Sequence, residues 1–256
     1  MLLQIKNLTK KFGGLTAVDN IDIAINNGEI ASIIGPNGAG KTTVFNCITG
    51  IYQPSSGEIF LKGNKLNGLR PHKITRMGIA RTFQNIRLFA EMTAIENVMI
   101  GRHIKTETGI LGAVIKNSRA VKEERDISSK AMDLLEFAGL RKKASIWARN
   151  LSYGDQRRLE IARALASEPR LLLLDEPAAG MNPKETETLM ELIKSIRQKG
   201  ITIILIEHDM KVVMAISERV VVLDYGVKIA EGLPEEIKKN TMVIEAYLGK
   251  ELYRAS

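Results

Sequence analysis

The stretch from Ile33 to Asn46, IIGPNGAGKTTVFN, places glycines, a lysine and two threonines at the start of an expected helix. It fits the phosphate-binding motif G-x-x-x-x-G-K-[ST], directly after an apolar run that predicts a strand. Glycines let successive backbone N–H groups point at an anion, and the helix N-terminus adds about half a positive charge. We predict that Lys41 supplies a cation for the β/γ oxygens of a nucleotide and Thr42 a hydroxyl for Mg²⁺. The predicted phosphate-binding residues are Gly35, Pro36, Asn37, Gly38, Ala39, Gly40, Lys41, Thr42 and Thr43.

Two adjacent carboxylates follow a second apolar run, RLLLLDEP. Asp175 is expected at the end of a buried strand, where enzymes with such a loop place the acid that orients Mg²⁺. Glu176 is positioned to accept a proton from an attacking water, although a helix-capping role is the alternative. The pair favours hydrolysis over phosphoryl transfer to a second substrate, and it leaves ATP and GTP both possible.

A second anion site is predicted in LSYGDQRRLEIARAL, residues 151–165. Ser152 and Gly154 lie at an expected helix start, where a hydroxyl accompanies backbone N–H groups that the helix leaves unpaired. An ordinary helix cap would have the same residues. Two phosphate sites that cannot easily meet within one chain suggest a composite site formed by two copies.

The elements that position these residues follow from hydrophobic periodicity. Alternating apolar and polar residues in the first thirty positions and in 55–66 predict antiparallel strands with one wet face. The runs EIASIIG, RLLLLDEP and GITIILIEHD predict buried parallel strands, and PKETETLMELIKSIRQKG predicts one of the helices that join them. The charged helical pattern at about 90–160 predicts an inserted helical subdomain, and 234–256 predicts a C-terminal helical tail.

The predicted fold class is therefore α/β. We predict that residues 1–256 form one domain, with a P-loop NTPase core of mainly parallel sheet, an N-terminal antiparallel β subdomain and the inserted α-helical subdomain.

Composition limits the functional classes. The net charge of +8 suits nucleic acid, an anionic membrane surface or a polyphosphate ligand. Aromatic residues make up 5%, which argues against a nucleic-acid partner, and basic clusters such as 154–160 are interpreted as solvated helix faces. The single cysteine, Cys47, excludes an internal disulfide and is expected to pack rather than react. Without a secretory signal or a long apolar run, we predict a place on the cytosolic side.

Five motifs in a fixed order make the chain resemble the ATP-binding subunit of ABC transporters. They are Walker A at 35–43, a Q-loop in RTFQN, a signature in LSYGD, Walker B at 171–176 and a switch histidine in IEHD. The resemblance implies ATP as the nucleotide. It implies that Gln84 contacts Mg²⁺ and reports the nucleotide state, and that His208 contacts the γ-phosphate. Phe12, in KKFGG, takes the place of the aromatic that stacks on adenine, with Val18 beside it.

Some positions depart from the usual family pattern. Tyr153 and Asp155 replace residues of the usual Leu-Ser-Gly-Gly-Gln signature, and Asn182 stands where the family often has Asp. Within the family, FGGLTAVDN, RTFQNIRLF and IEHDMKVVMAISERV look very close to the subunit that energises branched-chain amino acid uptake in prokaryotes. Subunits for urea or amide uptake and for lipopolysaccharide export share parts of this set.

The resemblance also implies partners. They are two transmembrane permease subunits, a second identical or related ATPase subunit in an ATP-sandwich dimer and, indirectly, an extracytoplasmic solute-binding protein. The implied location is peripheral, on the cytoplasmic face of the cell membrane. A soluble ABC ATPase acting on nucleic acid is the alternative of another class, but one Walker A motif and no sustained heptads argue against it.

Overall fold

The computed structural model describes residues 1–102 and 118–254, with side chains described at all of these except 118–123 and 248–254. The strands are β1 (Leu3–Phe12), β2 (Leu15–Ile25), β3 (Ile30–Ile34), β4 (Ser56–Leu61), β5 (Asn64–Lys65), β6 (Ile79–Arg81), β7 (Leu171–Asp175), β8 (Thr202–Ile206), β9 (Arg219–Asp224) and β10 (Val227–Gly232). The helices are α1 (Lys41–Ile48), α2 (Pro71–Arg76), α3 (Ala94–Arg102), α4 (Ser118–Phe137), α5 (Tyr153–Leu165), α6 (Pro183–Gln198), α7 (Met210–Ile216), α8 (Pro234–Ile237) and α9 (Thr241–Arg254).

The strands form two sheets. The first has the order β2-β1-β4-β5 and is antiparallel throughout, as the alternating N-terminal pattern predicts. The second has the order β10-β9-β3-β8-β7-β6 and is parallel except for β10 at its edge. Strands β3, β7 and β8 are buried along their whole length, which explains their continuous apolar runs. Strands β6, β9 and β10 extend the predicted sheet on both sides.

The predicted helical insertion contains α3, α4 and α5 in the described residues, and its part from 103 to 117 lies outside them. An isolated bridge between Thr93 and Trp147 joins the chain on either side of α3 and α4. The apolar residues of α3, α4 and α5 share one core with β7 and β8, which connects this region to the parallel sheet. The predicted tail consists of α8 and α9, and Pro234 opens α8 as expected for a first-turn proline.

Helix α1 packs between the two sheets. Phe45 is fully buried among residues of both sheets, and burying such a side chain contributes about 1.5–3 kcal/mol. Cys47 lies in the same core, and burial raises the pKa of its thiol to about 11, so the expected packing role is confirmed. This packing fixes the N-terminus of α1 at the carboxyl ends of β3, β7 and β8, where ligands bind in open parallel sheets.

Within residues 1–102 and 118–254, no helix has the length and apolar character that a membrane span requires.

Candidate functional site

The loop from β3 to α1 is shaped by two glycines that no other residue could replace. Gly35 has a φ of +148°, and a Cβ there would lie 2.0 Å from the carbonyl oxygen of Leu223. Gly40 has a φ of +99°, and a Cβ would lie 2.6 Å from the oxygen of Ala17. No described side chain caps α1, which begins directly after Gly40. Its first N–H groups are therefore directed at whatever occupies the loop.

A cavity of about 470 Å³ opens at this loop. It is lined by Leu15, Thr16, Ala17, Asn37, Gly38, Ala39, Gly40, Lys41, Thr42, Thr43, Gln84, Glu176 and Tyr225. Lys41 is buried, and its Nζ donates to the carbonyl oxygens of Gly35 at 2.7 Å and Pro36 at 3.0 Å. Gly35 and Pro36 thus form the buried base of the loop, while the other predicted phosphate-binding residues line the cavity.

Of the three residues predicted to be catalytic, Gln84 and Glu176 line this cavity, and His208 lies beside Glu176. The Nε2 of Gln84 donates to the Oε2 of Glu176 at 2.9 Å, and the Nδ1 of His208 lies 3.6 Å from the same oxygen. Glu176 has a φ of 47°, a left-handed conformation that costs a non-glycine residue roughly 1–2 kcal/mol. Such strain clusters at functional sites, and here it turns the side chain out of the end of β7 toward Gln84 and His208.

Asp175 has a partner that sequence reasoning missed. The Nη2 of Arg81 donates to its Oδ2 at 2.7 Å, and the Nη1 of Arg81 donates to the Oδ1 of Asn46 at 2.6 Å. Both members of the ion pair are buried, so the carboxylate charge is balanced within the protein. The signal lay in RTFQN, where Arg81 precedes Gln84 by three positions. Asp175 is not among the described residues that line the cavity, and its predicted metal role stays a prediction.

The oxygen ligands near the loop suit a hard cation. Thr42 and Gln84 line the cavity together, and Asp175 lies one residue before Glu176. Over the described part of the chain, no group of three His, Cys, Asp or Glu side chains is arranged to hold a metal ion. Mg²⁺ is commonly held by one or two protein ligands together with substrate phosphates, and this donor set fits that mode.

Glu207 joins the loops that carry Glu176 and His208. Its buried carboxylate accepts hydrogen bonds from the N–H of Ala178 at 2.9 Å and the N–H of His208 at 3.2 Å. Burial raises the pKa of Glu207, although these hydrogen bonds act in the opposite direction. Its place directly after an apolar strand is the signal that could have identified it.

The two predicted adenine contacts have different surroundings. The Phe12 ring is 40% exposed and packs edge to face on Tyr52, with a centroid distance of 5.1 Å. Phe12 is not among the described residues that line the cavity, whereas its strand partner Leu15 is. Val18 is fully buried, and its side chain packs against the phosphate-binding loop at Gly40. Tyr225, which the sequence did not single out, lines the cavity.

The signature residues lie at a separate surface cavity of about 190 Å³, shared with Asn182, Glu185 and the start of α6. The Oγ of Ser152 accepts from the N–H of Asp155 at 3.3 Å and so caps α5. Neither Ser152 nor Gly154 belongs to the described lining of the cavity at the phosphate-binding loop. Within one chain, the two predicted anion sites are therefore not combined.

The carboxylate of Asp155 points into the protein and not into solvent. It is buried and bonds to Lys143 and Arg158. Burial acts to raise the pKa of Asp155, but hydrogen bonds from Lys143 and Ser152 outweigh it and hold the pKa below its ordinary value. Asn182, the other departure in this area, caps α6 through a reciprocal pair of hydrogen bonds with Glu185.

The interpretation of residues 154–160 as a solvated helix face is wrong. Arg157 is 3% exposed and Glu160 is 1% exposed, because this face of α5 packs against the chain around Gln84. Charged residues are almost never so buried unless they are paired, and sequence alone did not reveal the pairing.

Comparisons with known proteins agree with this geometry. Residues 18–179 match the family model described as ABC transporter, and residues 227–253 match one described as branched-chain amino acid ATP-binding cassette transporter. The high-affinity branched-chain amino acid transport ATP-binding protein BraF of Pseudomonas aeruginosa is 49% identical over 97% of this chain and 98% of its own length. The corresponding protein LivG of Escherichia coli K12 is 50% identical over the same shares.

Solved structures are similar over more than nine-tenths of the chain. A nucleotide-free ATP-binding cassette from an ABC transporter has a TM-score of 0.85 and 33% identity, covering 96% of this chain and 98% of its own. A dimeric ATP-binding cassette bound to ADP and Pi has a TM-score of 0.77 and 30% identity, and the match covers 91% of this chain and 99% of the cassette. The fold prediction is thereby confirmed, and the relatives bear out ATP as the nucleotide. The chain belongs to the ABC transporter family, as one of its ATP-hydrolysing, ATP-binding subunits.

Proposed function

We propose that this chain is the motor subunit of an importer for branched-chain amino acids. The proposal is supported by relatives about half identical over nearly the whole chain and by the C-terminal match at 227–253. The observation that carries the motor role is the convergence of Gln84 and His208 on one oxygen of Glu176, beside the phosphate-binding loop.

In this proposal, the loop amides and Lys41 bind the β/γ-phosphates of ATP. The hydroxyl of Thr42 and the side chains of Gln84 and Asp175 would hold Mg²⁺, which would supply positive charge to balance that of the phosphates. Glu176 accepts the proton of the attacking water, and Gln84 orients its carboxylate. His208 contacts the γ-phosphate, and Glu207 holds the main chain of His208 beside Glu176.

The signature residues complete the site of a second subunit. Ser152 and Gly154 lie at a different cavity from the phosphate-binding loop of their own chain, which leaves them available to a facing copy. A related cassette is dimeric with ADP and Pi bound. We place two such subunits, identical or related, around two ATP molecules.

Two transmembrane permeases are the proposed partners, and they would dock beside the segment that carries Gln84. A largely apolar surface cavity of about 350 Å³ lies there, and Phe83, Phe89, Ile51 and Ile100 are among its lining residues. Because Phe83 precedes Gln84, a permease segment in this cavity would sense the position of Gln84. The subunit would then lie peripherally on the cytoplasmic face, and it would meet the solute-binding protein only through the permeases.

Deleting the gene for this chain in its host tests the transport role. We expect loss of high-affinity uptake of radiolabelled leucine, isoleucine and valine, with unrelated solutes unaffected. A plasmid copy of the parent chain should restore uptake, and the Lys41→Ala variant should not, because its ATP site lacks the cation. Unchanged branched-chain uptake, or a selective loss of urea uptake, would contradict the assignment.

A further inference from the structure

The buried Arg157 extends from the signature helix α5 to the main chain that carries Gln84. Its Nη1 donates to the carbonyl oxygen of Phe83 at 2.8 Å, and its Nη2 donates to the carbonyl oxygen of Gln84. A planar guanidinium can hold two successive carbonyls in a fixed geometry, which an ammonium cannot do. The position of the Gln84 backbone therefore depends on α5.

Glu160, one turn along α5, binds the same segment through the opposite groups. Its Oε1 accepts from the N–H of Phe83 at 3.4 Å and from the N–H of Arg87 at 3.3 Å. Its Oε2 lies 3.5 Å from the Nη1 of Arg157. Both ends of residues 83–87 are thus bound to one buried ion pair, and removing one member would leave the other buried without its counterion.

Tyr153 extends this arrangement into the signature itself. Its hydroxyl accepts from the Nε of Arg157 at 3.2 Å and from the Nη2 at 2.9 Å. Tyr153 lies between Ser152 and Gly154, at a position where the family usually has glycine, and a glycine could not make these bonds. The departure from the signature pattern thereby acquires a structural role.

We propose that Arg157, held by Glu160 and Tyr153, is a positioning residue that joins the Gln84 segment to the signature, so that both move as one body. This inference rests on the proposed function, in which the signature contacts the ATP of the facing subunit. Closure of the signature on that ATP would move Gln84 in the chain's own site, and the Gln84–Glu176 contact would follow the state of the other site.

Amide hydrogen exchange, followed by mass spectrometry on the intact subunit, tests the physical link. The N–H groups of Phe83 and Arg87 should exchange about 10-fold faster or more in Arg157→Ala, because the segment loses its two carbonyl bonds and the acceptor Glu160 loses its buried counterion. Arg157→Lys, which can hold one carbonyl, should give an intermediate rate and guards against misfolding of the alanine variant. Arg102→Ala is the matched control. Arg102 forms an ion pair with Glu168, with an N–O distance of 2.8 Å, and makes no hydrogen bond or ion pair with the described residues 83–87. Exchange that is unchanged at 83–87, or raised equally over the whole chain, would overturn the link.

A double-mutant cycle on ATP turnover tests the positioning role. We expect kcat of Arg157→Ala to fall about 10-fold at unchanged ATP affinity, and Arg157→Ala with Gln84→Ala to be no slower than Gln84→Ala alone. If the fold reductions in kcat of the two single variants multiply in the double variant, Arg157 does not act through Gln84 and the proposal is overturned. If Gln84→Ala hydrolyses ATP at the parent rate, the proposed role of Gln84 fails, whereas the exchange measurement still decides the link between α5 and residues 83–87.

Discussion

Helices α1 and α5 both begin at glycine and hydroxyl residues, but their N-termini differ in what satisfies them. Helix α1 follows Gly40, has no cap from any described side chain and carries the cationic Lys41 at its first position. Helix α5 is capped by the hydroxyl of Ser152, and its first turn contains Asp155. The first terminus combines N–H groups that no described side chain caps with a positive side chain. At the second terminus, the Ser152 hydroxyl already accepts from one N–H group.

This difference indicates that the two helix termini have different roles in phosphate binding. The cavity at α1 supplies binding energy for an anion, because it is lined by loop amides, Lys41 and Thr42. The cavity at α5 is smaller, and two acidic residues, Asp155 and Glu185, are among those that line it. We infer that α1 binds ATP by itself, and that α5 contributes only when a phosphate already bound elsewhere is brought to it.

The largest expected effect comes from Glu176→Gln. The amide keeps the shape of the side chain but cannot accept the proton, so turnover should fall 10²- to 10⁴-fold, the usual contribution of a general base. Mg·ATP should still bind at α1, and the occupied site should hold two copies together as a dimer in size-exclusion chromatography. Glu191→Gln, on the exposed face of α6, is the control and should hydrolyse ATP at the parent rate. Parent-like turnover in Glu176→Gln would remove this residue from the mechanism.

Gly154→Asp tests whether α5 acts only on a facing site. A carboxylate there would repel an approaching phosphate by on the order of 4 kcal/mol at a separation of about 4 Å and an effective dielectric constant near 20. We expect near-normal ATP affinity by calorimetry, no ATP-driven dimer and no hydrolysis. A Cβ at this position would lie 2.7 Å from the Oε1 of Glu185, so Gly154→Ala measures the steric part and should lose less activity.

Mixing Gly154→Asp with Lys41→Ala sharpens the same comparison. In a mixed dimer, one site carries both lesions and the other carries neither, so some ATP occlusion should return. If Gly154→Asp itself binds ATP poorly and mixing restores nothing, each chain works alone and the composite site is wrong. The experiment uses subunits that pair with themselves, which the Glu176→Gln dimer establishes first.

Phe12→Ala is expected to weaken ATP binding about 5-fold, the scale of one aromatic contact of roughly 1 kcal/mol. Phe12 lies at the end of β1, next to the hairpin that contributes Leu15, Thr16 and Ala17 to the cavity. Tyr225→Ala is the informative comparison, because Tyr225 already lines the cavity. An unchanged dissociation constant in Phe12→Ala, together with a raised one in Tyr225→Ala, would transfer the adenine contact to Tyr225.

The smallest effect is a pH dependence at Glu207. Burial raises its folded-state pKa, so the folded protein binds more protons than the unfolded chain just above the ordinary pKa, and this contribution to stability decreases as pH rises. Glu207→Gln lacks this titration but offers one oxygen where the carboxylate offers two. We expect it to be less stable than the parent, with the difference narrowing between about pH 4 and about pH 7 in urea unfolding. If the difference in unfolding free energy between the parent and Glu207→Gln widened over this pH range, the raised pKa would be contradicted.

The sequence predicted the parts of the site that a continuous stretch of chain builds. The strand, loop and helix around Lys41 are such a stretch, and so are the strand and carboxylates at Asp175 and Glu176. Their chemistry depends on local backbone conformation and on the end of a buried strand, both of which appear in residue order. The cap at Ser152 is likewise local.

What tertiary structure alone decided are the contacts between distant stretches. Arg157 is separated from Gln84 by 73 positions, and Arg81 from Asp175 by 94, yet each pair is joined by hydrogen bonds. Arginines and glutamates in a charged helix pattern are usually exposed, so the sequence pattern predicts that Arg157 and Glu160 face solvent. Packing of α5 against the sheet removes that water, and only then does their pairing with the Gln84 segment become the favourable arrangement.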